Sequence, residues 1–110
     1  MRIGRFVRMR AEPGQGTAVE ELMLRVARGL GAVPGCELYV VHRSATEPDT
    51  IWVSESWASQ EALEGSVNAV PTEGPEGSGA VSPAQVLGLL TGPPEVIALT
   101  PLGGVGLPPG

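Results

Sequence analysis

Glu55 and Trp57 stand two residues apart in a chain that has only two tryptophans, one tyrosine and one phenylalanine. In a β-strand, residues i and i+2 share a face, so this spacing would set a carboxylate beside an indole. A carboxylate in an apolar cleft has a raised pKa and could act as a base near neutral pH. The indole N–H could donate to a ligand oxygen while its ring stacks on a flat molecule. Glu55 could equally be a structural acid paired with an arginine of the first strand, such as Arg5 or Arg8, because an unpaired buried charge is costly. His42, the one histidine, titrates near pH 7 and is a second proton acceptor to weigh. Against that, a histidine at a strand end beside Arg43 is often simply exposed. Tyr39 has the opposite strand parity from His42, so the two should not line one cavity. Asn68 could donate to a ligand carbonyl, and Phe6 and Val53 complete the candidate lining.

These side chains need elements to hold them. Residues 2–11 place Ile3, Val7 and Met9 on one parity and Phe6 on the other, a strand covered on both faces. After the Pro13-Gly14 turn, Thr17 followed by Glu20 reads as a capping box. Val19, Leu22, Met23, Val26 and Leu30 then recur at helical spacing, and Gly29 and Gly31 supply the stop. Residues 36–43 and 50–57 read as two strands joined by a polar loop, an antiparallel hairpin. The parity of the latter sets Ile51, Val53, Glu55 and Trp57 against Thr50, Trp52, Ser54 and Ser56. Ser59 caps a short helix carrying Ala62, Leu63, Val67 and Val70. Residues 71–79 are too rich in Gly and Pro for regular structure. A helix restarts with Ser82 and Pro83 and carries Val86, Leu87, Leu89 and Leu90. Residues 95–102 form the last strand, and 103–110 a loose tail. The order β-α-β-β-α-β predicts a ferredoxin-like α+β domain over residues 1–102, with a four-stranded antiparallel sheet. Because both strand parities carry apolar residues, the face away from the helices should be covered by a second copy, giving a homodimer.

Composition excludes several classes. The chain has 110 residues, enough for one domain. Its net charge of −5 argues against a phosphate-binding surface, and hence against a nucleic-acid partner. All seven basic residues are arginines and none follows Arg43, so the two parts of the chain are oppositely charged and should meet within the fold or across a dimer. A single cysteine fits a reducing compartment. With no apolar run long enough to span a bilayer, the expectation is a soluble, cytoplasmic protein without a membrane partner. One His and one Cys cannot build a structural zinc site, so no metal is expected. Neither a dinucleotide fingerprint nor a P-loop is present, and no nucleophile elbow marks a serine for His42.

The opening IGRFVRMRAEPGQG, the central VPGCELYVVHRSATEPDTIWVSESWASQEAL and the closing GPPEVIALTPLGGVG together resemble the antibiotic biosynthesis monooxygenase family of dimeric α/β-barrel proteins. Pro34-Gly35-Cys36 opening the second strand, Glu55-Ser56-Trp57 on the third and Ser59-Gln60-Glu61-Ala62 after it carry the likeness, which spans about two thirds of the chain. The resemblance implies a dimeric barrel and a cofactor-independent monooxygenase acting on an aromatic polyketide-like or quinol-like substrate with dioxygen. In that chemistry the substrate is deprotonated and passes an electron to dioxygen, while the protein holds the ring and excludes water. Trp57 matches the family's pocket tryptophan. Two positions depart from the pattern. An asparagine carried by some anthrone-type members is Val53 here, and a histidine of quinol oxygenases and haem degraders falls in Ser66-Val67-Asn68. The resemblance therefore leaves open a polyketide cyclase or isomerase using the same pocket, or a non-catalytic dimeric small-molecule-binding protein. Residues 71–81 are either a lid over the pocket or a plain loop.

Overall fold

A computed structural model describes residues 1–69, 81 and 83–107. Four strands, β1 (Ile3–Arg10), β2 (Cys36–Arg43), β3 (Thr50–Trp57) and β4 (Glu95–Leu99), form one antiparallel sheet in the order β2-β3-β1-β4. The helices are α1 (Gly16–Leu30), α2 (Gln60–Ala69) and the short α3 (Pro83–Leu87). This is the expected ferredoxin-like α+β fold.

The core lies between the sheet and the helices. Val7 and Met9 of β1, Ile51 and Val53 of β3, Val19 and Met23 of α1, and Val81, Val86 and Leu90 pack into one buried cluster. β3 is paired on both sides, which is why its alternate residues are the most deeply buried of any strand. β4 is an edge strand, and every one of its residues is exposed.

Several local expectations are corrected. The start of α1 is not closed by a Thr17–Glu20 capping box: the helix begins at Gly16 without a cap from its own N-cap side chain. Asp49, from the β2–β3 loop, caps it instead, its carboxylate accepting from Gly14 N at 3.2 Å and Gly16 N at 3.0 Å. Glu20 is drawn elsewhere, accepting from Arg43 Nε at 2.7 Å and Nη2 at 2.6 Å. The close approach of Asp49 also explains Gly16, where a Cβ would stand 2.8 Å from Asp49 Oδ1. Helix α1 runs through Gly29 to a C-cap at Gly31, which is right-handed, and the left-handed glycine that follows is Gly35 (φ +84°), whose turn receives Ala62 of α2 so tightly that a Cβ there would lie 2.5 Å from the alanine's. Ser59 does cap α2, accepting from Ala62 N at 3.1 Å. The third helix stops at Leu87, and Leu90 leaves it to bridge to Ala11. The last strand ends at Leu99 because Pro101, which has no N–H for the ladder, folds against Gly4, where a Cβ would lie 2.8 Å from its ring. Residues 71–79 lie outside the described part of the chain, as does Val70.

Asp49→Ala removes both acceptors at the start of α1 and should cost about 1–2 kcal/mol, read as a lower urea midpoint with an unchanged slope.

Candidate functional site

The strand registers bring one polar row into the apolar, helix-facing side of the sheet. Across the four strands it reads Tyr39, Glu55, Arg5 and Ala98. Parity alone would put Cys36 on the far face. A register shift between Cys36 and Leu38 turns it back beside Trp57, in the next row along.

Glu55 is the centre of the row. Its side chain is only 2% exposed, against 37% for Arg5. Oε1 accepts from Arg5 Nη2 at 2.9 Å, Arg5 Nε at 3.3 Å and Trp57 Nε1 at 3.0 Å, and Oε2 accepts from Arg5 Nη2 at 3.3 Å. Of the two roles open to Glu55, this geometry is that of the structural acid, with Arg5 as the partner. Arg8 has the opposite parity and pairs with Glu95. The indole N–H of Trp57 is engaged by Glu55, and the tryptophan is fully buried at 1% exposure, so it walls the row and offers no free donor. Burial pushes the Tyr39 phenol well above its usual range, and the Glu55 charge adds to the shift. The Cys36 thiol is raised for the same two reasons. Neither group is suited to be a base at neutral pH.

The other candidates are not brought here. Val53 is sealed in the core with no exposed surface. Phe6 and His42 belong to the opposite, helix-free face, where Phe6 stacks on Trp52 with ring centroids 4.7 Å apart and Arg8 lies 5.7 Å from the Trp52 centroid. His42 Nε2 shares a 3.1 Å hydrogen bond with Ser54 Oγ. Phe6, His42, Trp52 and Ser54, with Arg43, Ser44 and Ala45, line an open depression of about 380 Å³ on that face. Asn68 lies in α2, and its expected contact with a ligand falls outside what is described. As the parities required, Tyr39 and His42 face opposite ways. Among the described residues, no three His, Cys, Asp or Glu side chains are grouped to hold a metal ion, and no helix is long and apolar enough to cross a membrane.

Two neighbours of Glu55, Tyr39 and Cys36, were not assigned to the site from the sequence. Tyr39 was readable from strand parity once the hairpin register was known. Cys36 was not, since its facing depends on the irregularity at the start of β2.

The sheet, its order and the Glu55–Trp57 row define a small ferredoxin-like α+β domain, and the comparisons agree. The family model described as antibiotic biosynthesis monooxygenase matches residues 2–70, and the chain belongs to that family. Among solved structures, a candidate antibiotic biosynthesis monooxygenase from Chloroflexus aurantiacus is 28% identical, with a TM-score of 0.75 over 98% of this chain and 100% of that one. One from Caulobacter crescentus shares 23% identity and a TM-score of 0.72, covering 93% and 91% of the two chains. The Mycobacterium tuberculosis protein Rv0793 is likewise 23% identical with a TM-score of 0.72, covering 96% and 99%. No curated protein matches the sequence.

Breaking the pair from one side leaves a buried charge. Arg5→Met should cost about 3 kcal/mol, toward the lower end for a buried pair because the guanidinium is partly solvated. Arg5→Met with Glu55→Gln, which keeps an acceptor for the buried Trp57 N–H, should recover a large part of that loss, as a double-mutant cycle in urea would show. Tyr39 predicts a pH effect. Its phenol binds a proton more tightly in the folded chain, so its contribution is complete below the ordinary phenol range and declines as pH rises past about 10. Tyr39→Phe should flatten the fall in urea midpoint above about pH 9.5, leaving the share due to Cys36.

Proposed function

We propose that this protein is a cofactor-independent monooxygenase of secondary metabolism, acting on an aromatic polyketide-like or quinol-like substrate bound on the helix-facing side of the sheet. The observation that carries this reading is the Arg5–Glu55–Trp57 cluster, a fixed set of charges and dipoles on an otherwise apolar surface. Such preorganised groups favour an anion in a site from which water is excluded. For an anthrone, the carbanion gives an electron to dioxygen and the radicals combine at carbon. One oxygen atom stays as the new carbonyl, and the other leaves as water. The electrons come from the substrate, and Glu55 and Trp57 act on it only by positioning Arg5.

The working unit in this proposal is a homodimer. The helix-free face presents Val40, Ile97 and Leu99 to solvent beside the Phe6–Trp52 stack, an apolar surface of the kind that a second copy would cover. A cytoplasmic setting suits the single cysteine.

One observation favours a second reading. The depression beside His42 combines a stacked aromatic pair with an imidazole held by Ser54, so the ring could bind on that face instead. The engagement of both Glu55 and Trp57 also suits a protein that binds without turnover, whereas a cyclase or isomerase would need a freer base than this row offers.

Dioxygen consumption with a panel of anthrones and hydroquinones tests the proposal. Uptake above the spontaneous rate, reduced roughly tenfold in kcat/KM by Trp57→Phe and unchanged by His42→Ala, is the expected result. Loss of uptake in His42→Ala alone would move the site to the other face. No uptake with any substrate would leave a binding protein.

A further inference from the structure

The guanidinium of Arg5 is only half engaged. Nε and Nη2 are turned to Glu55, while among the described residues Nη1 makes no hydrogen bond. A guanidinium has five N–H donors in a rigid fork, so an edge remains to be satisfied by water or by a ligand. The arginine is partly exposed and the carboxylate beneath it is not, so the pair is a dipole with its positive end outward. The next residue along the row is Ala98, too small to fill the space beside Arg5. Val96 follows it on the same face of β4, and both are exposed, forming an apolar floor beside the charge. Arg2, Arg8 and Arg43 are paired with Glu37, Glu95 and Glu20, and none of those carboxylates is as deeply buried as Glu55.

Among the described residues, the same face has no free proton acceptor. Glu55 is occupied by Arg5 and Trp57, and the Tyr39 phenol and Cys36 thiol are both pushed upward. A substrate that reaches this face already ionised needs no base from these residues.

We infer that Arg5 is the specificity-determining residue of this site, its Nη1 edge selecting an aromatic substrate that arrives as an oxyanion, an acidic phenol or enol already ionised at neutral pH. This rests on the helix-side reading of the site under the proposed function. A charge-assisted N–H···O⁻ bond from a fixed guanidinium is stronger than one to a neutral ether or ketone, and it is the contact that would separate the two ligand classes.

The test is calorimetric titration at neutral pH with two probes of similar shape, a hydroxynaphthoquinone whose enol is ionised at that pH and its neutral methyl ether. The wild-type protein should bind the ionised compound at least about tenfold more tightly. The neutral pair Arg5→Gln with Glu55→Gln, which keeps an acceptor for Trp57, should bind the two probes equally. Glu55→Gln alone leaves Arg5 charged but less firmly held, and Arg5→Lys lacks the fork, so each should retain only part of the preference. Melting temperatures establish which variants are folded, and the wild-type comparison stands without them. Equal affinities in the wild type, preference for the ether, binding of neither probe, or a preference surviving in the double variant would each overturn the inference. Both probes are already oxidised, so the result does not depend on turnover. A preference without dioxygen uptake from hydroquinones would sustain Arg5 and count against the monooxygenase alone.

Discussion

The Arg5–Glu55 ion pair, with Trp57 donating to the same carboxylate, is the constraint around which the sheet is organised. A carboxylate removed from water loses several kcal/mol of hydration unless charge and hydrogen bonds replace it. Here both come from residues fixed by the backbone. Arg5 lies directly across the β1–β3 ladder from Glu55, and Trp57 follows two residues along the same strand. A one-residue slip of β1 would carry Arg5 to the opposite face and strand the carboxylate, so the pair penalises every neighbouring register. The penalty falls where strand alternation alone would be least decisive, since both parities of these strands carry apolar residues.

Other polar contacts fasten the remaining elements to that sheet. Asp49 closes the start of α1 from the β2–β3 loop, and Arg43 at the end of β2 binds Glu20 inside the same helix. Arg43 is largely exposed, yet its guanidinium still holds the Glu20 carboxyl below its ordinary range through their hydrogen bonds. At the other end of the sheet, Gly35 lets α2 seat directly on its turn, and Pro101 does the same over Gly4. The two sheet faces are thereby separated in character. One is packed by helices and crossed by the Glu55 row. The other carries Phe6, Trp52 and His42 in the open.

Most of the architecture was legible because it depends on local patterning. Strand parity put Glu55 beside Trp57 and His42 opposite Tyr39, and the apolar spacing of Val19, Met23, Val26 and Leu30 marked α1. What failed involved partners distant in sequence. Thr17 and Glu20 have the types and spacing of a capping box, but Asp49 and Arg43 supply stronger partners from another part of the chain. Phe6 and His42 were grouped with Trp57 by residue type, although parity and register separate them by the thickness of the sheet. The choice between Arg5 and Arg8 for Glu55 was open in the sequence and is fixed by which of them shares the parity of Val7. Cys36 could not have been placed without the irregularity at Leu38.

In the proposed reading, ligand binds beside Glu55 and not in the depression under His42. The two tryptophans report on the two faces separately, so the most direct measurement is NMR of the two indole N–H groups in protein labelled with nitrogen-15 tryptophan, titrated with the ionised hydroxynaphthoquinone. Trp57, buried and bonded to Glu55, should give the slowly exchanging resonance, and ligand held by Arg5 should shift it while leaving Trp52 in place. A shift confined to Trp52 would contradict the account and put the ring between Phe6 and His42.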